Sequence, residues 1–360
     1  MLRVLHLPTG VGGNSWALSR AERSHGLKSD VLIRKTSIYS NKYDILLPRK
    51  RNSLVYAMDV TRFYANAVKN YDVFHFNFGQ TLVSSSFSLL DMIDLTYLKK
   101  KNKGIFVTFQ GSDARIASYC VQNHEITYFN ENDVLKGKRN ERLKLRRIKK
   151  FDAYADGLYT TNPDLLSILP ERTKFRPYTK INLEEWDLCE LQDFDGEELI
   201  VGHAPSNRKI KGTHYVVEAV ESLKKEGYPI KLLLLENIPN SDARTFYKQA
   251  DIFVDQLLSG WYGGISVEVM ALGKPVIVYL RETDLLRIPE EMRADLPFIK
   301  SSPHDLVETL RRCFVNREML RAKSALSRSY VEKWHDSKKN ALQIIADYEM
   351  ALKSKQRRRE

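Results

Sequence analysis

The sequence predicts an α/β protein built from two doubly wound parallel sheets, and three observations carry that expectation. Short apolar runs alternate with segments of helical periodicity in two separate series. Glycine-rich turns stand directly after the first strand of one series and the third strand of the other. With 360 residues and 43% hydrophobic content, the chain can bury two ordinary cores.

The first series of strands is expected at Leu2 to Leu7, Asp30 to Ile33, Asp72 to Phe76, Ile105 to Phe109 and Gly157 to Thr161. The second runs through Leu199 to His203, Ile230 to Leu235, Asp251 to Asp255, Pro275 to Leu280 and Phe298 to Lys300. Between them lies an acidic stretch, Tyr178 to Gly196, poor in β-branched residues, which reads as the connection and places a boundary near Leu183. The expected domains are therefore residues 1–183, 184–336 and a terminal segment 337–360. In that segment Ala341, Ile344, Ile345, Tyr348 and Leu352 have the spacing of an amphipathic helix over Ser337 to Lys353. No fixed-period internal repeat is present.

The three cysteines, Cys120, Cys189 and Cys313, lack any C-x-x-C spacing, so neither a disulfide framework nor a zinc site is expected. The opening apolar run is too short for a signal-peptide core, and no apolar stretch approaches membrane-spanning length. The expected location is the cytoplasm, with peripheral attachment to the inner face of a membrane as its extension. The formal net charge is +12, concentrated in Lys99 to Lys103, Lys136 to Lys150 and Lys353 to Arg359. Around Leu145, Ile148 and Phe151 the apolar spacing is helical and bases cover much of the remaining circumference. That pattern fits a solvated helix or an anionic membrane surface; nucleic acid is not expected, because no aromatic residues interleave the bases.

Two turns and two strand ends carry the chemistry. Gly10-Val11-Gly12-Gly13 follows the first strand and precedes a helix, so Gly12 and Gly13 can bring backbone N–H groups close to a ligand. The third glycine of a dinucleotide fingerprint is missing, and Arg34 rather than an acid follows the second strand, which argues against nicotinamide binding. Gln110-Gly111-Ser112-Asp113 lies at a strand C-terminal end, where open α/β sheets bind ligands; Asp113 reads equally as a site acid or a turn-former. His75 is balanced in the same way. In the second series, Arg208-Lys209-Ile210-Lys211-Gly212 precedes a helix and supplies fixed positive charge. Further on, Gly260, Gly263 and Gly264 open a turn into a helix Ile265 to Leu272, whose first N–H groups suit an anion. Glu268 sits one turn inside that helix. No metal-ligand spacing and no Asp-x-Asp accompany these turns, so no metal is expected.

From Glu268 through Gly273-Lys274-Pro275-Val276, with the Lys211-Gly212 pair and the Gln110-Gly111-Ser112-Asp113 segment, the chain resembles the retaining nucleotide-sugar glycosyltransferases called family 4. The resemblance spans nearly the whole chain. It implies a GT-B architecture of two facing Rossmann-like domains, with a C-terminal helix returning to the N-terminal one. It further implies that a nucleotide diphosphate sugar binds mainly on the C-terminal domain and a glycan or lipid-linked acceptor on the N-terminal one, without a cofactor, for transfer in a cleft and with retention. Cell-surface polysaccharide or glycoconjugate synthesis is the expected setting. The implied roles are ribose binding by Glu268, diphosphate binding by Arg208, Lys211 and the backbone of Gly264, Ile265 and Ser266, and sugar contact by Gln110 and the Gly260 to Gly263 loop.

Two positions depart from the family pattern. Gly260 stands where the family has an acid, leaving its contact absent or supplied by Asp255, Trp261 or Tyr262. Gln110 stands where histidine is common, and an amide cannot act as a base near neutral pH. A non-catalytic scaffold and a sugar-nucleotide 2-epimerase remain as alternatives.

Overall fold

The computed structural model describes residues 1–37, 42–50, 52–84, 90–131, 140–186, 194, 196–238 and 242–357. Cys189, Lys136 with the rest of 136–139, part of the acidic connection (187–193 and 195) and the last three residues of the basic tail lie outside them. The chain divides into two compact units, Met1–Ile116 with Lys138–Lys180 and Ser337–Glu360, and Ala117–Gly137 with Ile181–Asp336.

In the first unit seven strands form a parallel sheet: β1 Arg3–Leu7, β2 Lys28–Ile33, β3 Ile45–Leu46, β4 Val73–Asn77, β5 Gly104–Phe109, β6 Gly157–Thr160 and β7 Lys174–Phe175. Their order is β3-β2-β1-β4-β5-β6-β7. β1 and β4 pair in parallel, Val4 opposite Val73 and Leu7 opposite Phe76, and the winding reverses between these two strands. β4 is buried at every position, as a strand covered on both faces must be.

The terminal helix extends over Ser337–Arg357 and belongs to this unit. Ala341, Ile344, Ile345 and Tyr348 pack with Val4, Val73, Phe106 and Tyr159 of the sheet and Leu18 and Ala21 of the helix Asn14–Ser24. His75 is buried beneath it. Its Nδ1 lies 2.5 Å from the Tyr348 hydroxyl and its Nε2 2.7 Å from Thr108 Oγ1. Burial and the neighbouring His6 push its pKa well down. Nδ1 thus ties the helix to the sheet and Nε2 ties β4 to β5, so both ring nitrogens serve packing.

The second unit holds β8 Leu199–His203, β9 Ile230–Leu234, β10 Ile252–Val254, β11 Val276–Val278 and β12 Ile299–Lys300, in the parallel order β12-β11-β10-β8-β9. Here the winding reverses between β8 and β10, where Val201 pairs with Ile252 and Gly202 with Phe253. The core beneath joins Leu199, Val201, Ile252, Val254 and Ile277 to Val216, Val220 and Leu223 of the helix Thr213–Lys225. The segment 117–131, which the sequence reading kept with the first half, is bound into this unit by polar contacts: the Tyr128 N–H donates to Leu258 O (3.1 Å), Arg281 Nη2 to Ile126 O (3.1 Å), and the Tyr215 hydroxyl to Glu131 (2.7 Å).

Candidate functional site

Open α/β sheets bind ligands outside the strand C-termini where the winding reverses. In the second unit that place lies beyond His203 of β8 and Val254 of β10. After β8, Asn207 caps a single helical turn Arg208–Lys211 through its side chain, and Gly212, at φ 73°, redirects the chain into the helix Thr213–Lys225. The turn delivers Lys211 to the first residue after β10. There Lys211 Nζ lies 2.7 Å from Asp255 Oδ1 and donates to Gln256 Oε1 (2.9 Å).

Asp255 also organises the glycine turn. Its Oδ2 accepts the Gly263 N–H (2.5 Å) and the Ser266 hydroxyl (2.7 Å). Burial would push this carboxyl up, but the Lys211 ammonium, Ser266 hydroxyl and Gly263 N–H hold it below the usual carboxylate range. A Cβ on Gly263 would stand 2.7 Å from Lys211 Nζ and 3.0 Å from Asp255 Oδ2, so the close approach of the turn to this ion pair requires glycine. Asp255 thus joins Lys211, Gly263 and Ser266, three of the residues singled out from sequence.

The helix that follows spans Gly264–Ala271 and has no side-chain cap. Its N-terminus is narrower than expected, because the Ser266 N–H already donates to Gly263 O (3.1 Å), leaving the Gly264 and Ile265 N–H groups as the donors that helix geometry does not pair. Glu268 lies one turn on, on the Gly264 side, and is buried; the Tyr247 hydroxyl donates to its Oε2 (3.1 Å). Arg208 is turned elsewhere. Its exposed guanidinium makes a two-pronged pair with Glu236 (2.8 and 2.5 Å), so of the two bases expected to act together only Lys211 reaches the ion pair.

Gly260 has φ 74°, and a Cβ there would fall 2.4 Å from Arg281 Nη1. Arg281 is itself buried, pairs with Asp284 (2.5 Å) and receives the turn through its own N–H, which donates to Gly260 O (2.9 Å). The position where the resemblance expects an acid is occupied instead by a guanidinium from the end of the next strand. Asp255 does not replace that acid, since its oxygens are committed inside the turn. His203, at the end of β8, is held neutral: burial pushes its pKa down to about 4, its Nδ1–H donates to Val254 O (2.7 Å), and its Nε2 accepts from Thr213 Oγ1 (2.9 Å).

The first unit brings a different set together. After β1, the tight turn Val11–Gly13 has Gly12 at φ 72° and Gly13 at φ 74°, and the helix Asn14–Ser24 follows without a side-chain cap. Gly12 lies against the end of β5: its Cβ would stand 3.0 Å from Gln110 Oε1. Asn14 Nδ2 donates to the same oxygen (3.1 Å), and Asn162 Nδ2 donates to Gln110 O (2.8 Å). Asn14 Oδ1 and Gln110 Nε2 are left buried with no partner among the described residues. Turning both amides over exchanges the atoms but still leaves one donor and one acceptor, so the complementarity does not depend on how they are oriented. Asp113 faces the backbone rather than this pair, accepting the Gln110 N–H at 3.1 and 3.2 Å. Burial pushes its carboxyl up to about 6, against the opposing backbone N–H groups of Gln110, Asp113 and Gly111.

Sequence reasoning missed Asn14, Asn162 and Arg281. Only Arg281 left a signal, a base directly after the strand that precedes it.

No family model matches the chain, and no curated protein matches it. Solved structures do. Sucrose-phosphate synthase from Thermosynechococcus elongatus is 17% identical with a TM-score of 0.65, the match covering 98% of this chain and 100% of that one. Anabaena HepE in complex with UDP-glucose is 11% identical with a TM-score of 0.63, over 96% and 100%. The Neisseria meningitidis UDP-GlcNAc 2-epimerase bound to UDP-GlcNAc is 14% identical with a TM-score of 0.51, over 97% and 99%. At these identities the likeness establishes the fold: two parallel-sheet α/β domains of the GT-B type, as the sequence predicts. Transferases and an epimerase share it, so the fold does not choose between them.

Proposed function

We propose that the protein is a glycosyltransferase of the retaining family 4 kind, moving a sugar from a nucleotide diphosphate sugar to a glycan or lipid-linked acceptor without a metal, in cell-surface polysaccharide or glycoconjugate synthesis. The observation that carries this reading is the join of Lys211, Asp255, Gly263 and Ser266 at the second unit's winding reversal. Lys211 has three N–H donors, two of them used on Asp255 and Gln256, so the third can be given to a phosphate oxygen without rebuilding the turn. The Gly264 and Ile265 N–H groups supply the adjacent anion contact. Positioned donors of this kind stabilise the charge that develops on a departing diphosphate. Glu268, held by Tyr247, is the ribose partner on this reading. The Asn14 and Gln110 amides, one donor and one acceptor, suit sugar hydroxyls.

The Neisseria enzyme's likeness keeps an epimerase as the second reading. It would need acid and base groups around the sugar ring, and Asp113, the acid beside Gln110, faces its own turn. The test is incubation of the full chain with UDP-glucose, UDP-N-acetylglucosamine, GDP-mannose and ADP-glucose in the presence of a chelator. The proposal expects release of nucleoside diphosphate from one of them, reduced at least about tenfold by Glu268→Ala. Recovery of a 2-epimerised nucleotide sugar would replace it with the epimerase. Absence of turnover from every donor, with or without added glycan and lipid-linked acceptors, would replace it with the scaffold.

A further inference from the structure

The basic run that the donor reading does not use folds into the helix Glu141–Tyr154 of the first unit. Ile148 and Phe151 anchor it in the core, and three of its bases converge on one fully buried acid: Arg146 and Arg147 pair with Asp91 at 3.3 and 2.9 Å, and Lys150 Nζ donates to Asp91 O. That grip fixes the stretch around Asp91 beside the helix. On either side of Asp91 and the buried Met92 two apolar residues stand in solvent, Leu90 at 54% exposure and Ile93 at 48%; Leu145 on the helix is 40% exposed. Arg142, Leu145, Arg146, Lys149 and Lys150 line one shallow groove along the helix, with Ala153 and Tyr154 at its end.

Acids cancel only part of this charge. Asp91 is enclosed by Arg146 and Arg147, Asp152 is paired with Arg172 (2.7 Å), and Glu141 lies at the helix start. Arg142 and Lys149 have no carboxylate partner among the described residues.

We propose that the face of the first unit formed by Leu90, Ile93 and Leu145 among Arg142, Arg146 and Lys149 docks onto the surface of an anionic lipid bilayer. Exposed leucine and isoleucine are unfavourable in water and enter the headgroup boundary readily. The long stems of arginine and lysine lie over the same boundary while their charged ends reach lipid phosphates. Both attractions act at once on this face, whereas a nucleic acid would use the charge and find one half-buried ring, Tyr154 at the groove's end, rather than a stacking platform. Among the described residues no helix is long and apolar enough to cross a membrane, so the contact is peripheral. This inference stands on its own observations and survives if the donor reading fails.

The test is flotation of the full chain with vesicles of phosphatidylcholine alone or mixed with phosphatidylglycerol, repeated at raised salt. Binding is expected only to the mixed vesicles and should weaken with salt. Arg142→Glu with Lys149→Glu should lower the partition coefficient by more than about thirtyfold, the value of two lost surface cations before the two added anions are counted. Leu90→Gln with Ile93→Gln should lower it several-fold while leaving the salt dependence in place. Lys225→Glu with Lys231→Glu, the same charge change on the second unit, should leave it unaltered. Absence of binding to mixed vesicles, equal binding to neutral ones, or an equal loss in the Lys225/Lys231 variant would overturn the proposal. So would RNA binding that depends on Arg142 and Lys149 in a protein that ignores vesicles.

Discussion

The two winding reversals occupy equivalent places in their sheets and are made of different materials. In the second unit a buried ion pair, Lys211 with Asp255, ties a glycine turn to a helix start. In the first, a neutral amide pair, Asn14 with Gln110, ties a glycine turn to a strand end. The difference teaches what each can hold. A lysine with a remaining N–H beside two helix donors suits an anion, while a leftover amide donor and acceptor suit an uncharged hydroxyl. On the proposed reading electrostatics divides the labour between the units, and the division can be broken from either side.

The largest effect is expected at Asp255. Asp255→Ala removes the shared partner of Lys211, Gly263 and Ser266 and leaves a largely buried ammonium without its carboxylate. The second unit's unfolding free energy should fall by about 3–5 kcal/mol in denaturant titration, with nucleotide binding lost alongside. A loss below about 1 kcal/mol would mean that the turn is held some other way.

Next comes Asp113, the one carboxyl in the first set whose charge changes near neutral pH. Its folded pKa of about 6 lies above its value in the unfolded chain, so its contribution is present below about pH 4 and is lost as pH rises through 6. Asp113→Asn should flatten the stability profile across that window, gaining on the order of 3 kcal/mol relative to the parent between its two ends. Unchanged slopes in unfolding curves taken across the window would contradict the assigned burial.

Gly260→Ala sharpens the comparison further, because it puts a Cβ at φ 74° and into the Arg281 guanidinium. A cost of about 1–2 kcal/mol is expected in the same unfolding measurement. The smallest effect belongs to the amide pair. Gln110→Met should cost about 1 kcal/mol by leaving Asn14 without its acceptor, yet leave nucleoside diphosphate affinity unaltered in calorimetry. A change in that affinity would erase the division between charged and neutral sites.

Much of this was legible in sequence where a signal is local. The strand pattern follows runs such as Leu2 to Leu7 and Leu199 to His203, and the terminal helix follows the spacing of Ala341, Ile344, Ile345 and Tyr348. The edge strands Ile45–Leu46 and Lys174–Phe175 were invisible, because two residues cannot show an alternation. Lys211 and Gly263 announced themselves by their turns, but what joins them did not: Asp255 is brought to Lys211 by strand order, not by proximity in the chain. The same holds for Arg281 facing Gly260 across an intervening helix and strand. Arg208 shows the converse error. Its position beside Lys211 suggested a common target, and the side chain instead follows Glu236, 28 residues further along the chain and delivered by the end of the neighbouring strand β9.

The most direct measurement is calorimetric titration of the parent and of Lys211→Met with uridine, guanosine, adenosine and thymidine diphosphates in the presence of a chelator. The account predicts that one of them binds the parent with a dissociation constant of micromolar order, and that Lys211→Met weakens it by about ten- to a hundredfold, the value of one charge-assisted hydrogen bond, at a temperature where the variant, less stable for leaving Asp255 without its cation, is still folded. Binding of none, or equal affinity in the variant, would contradict the assignment of the second unit's reversal as an anion site.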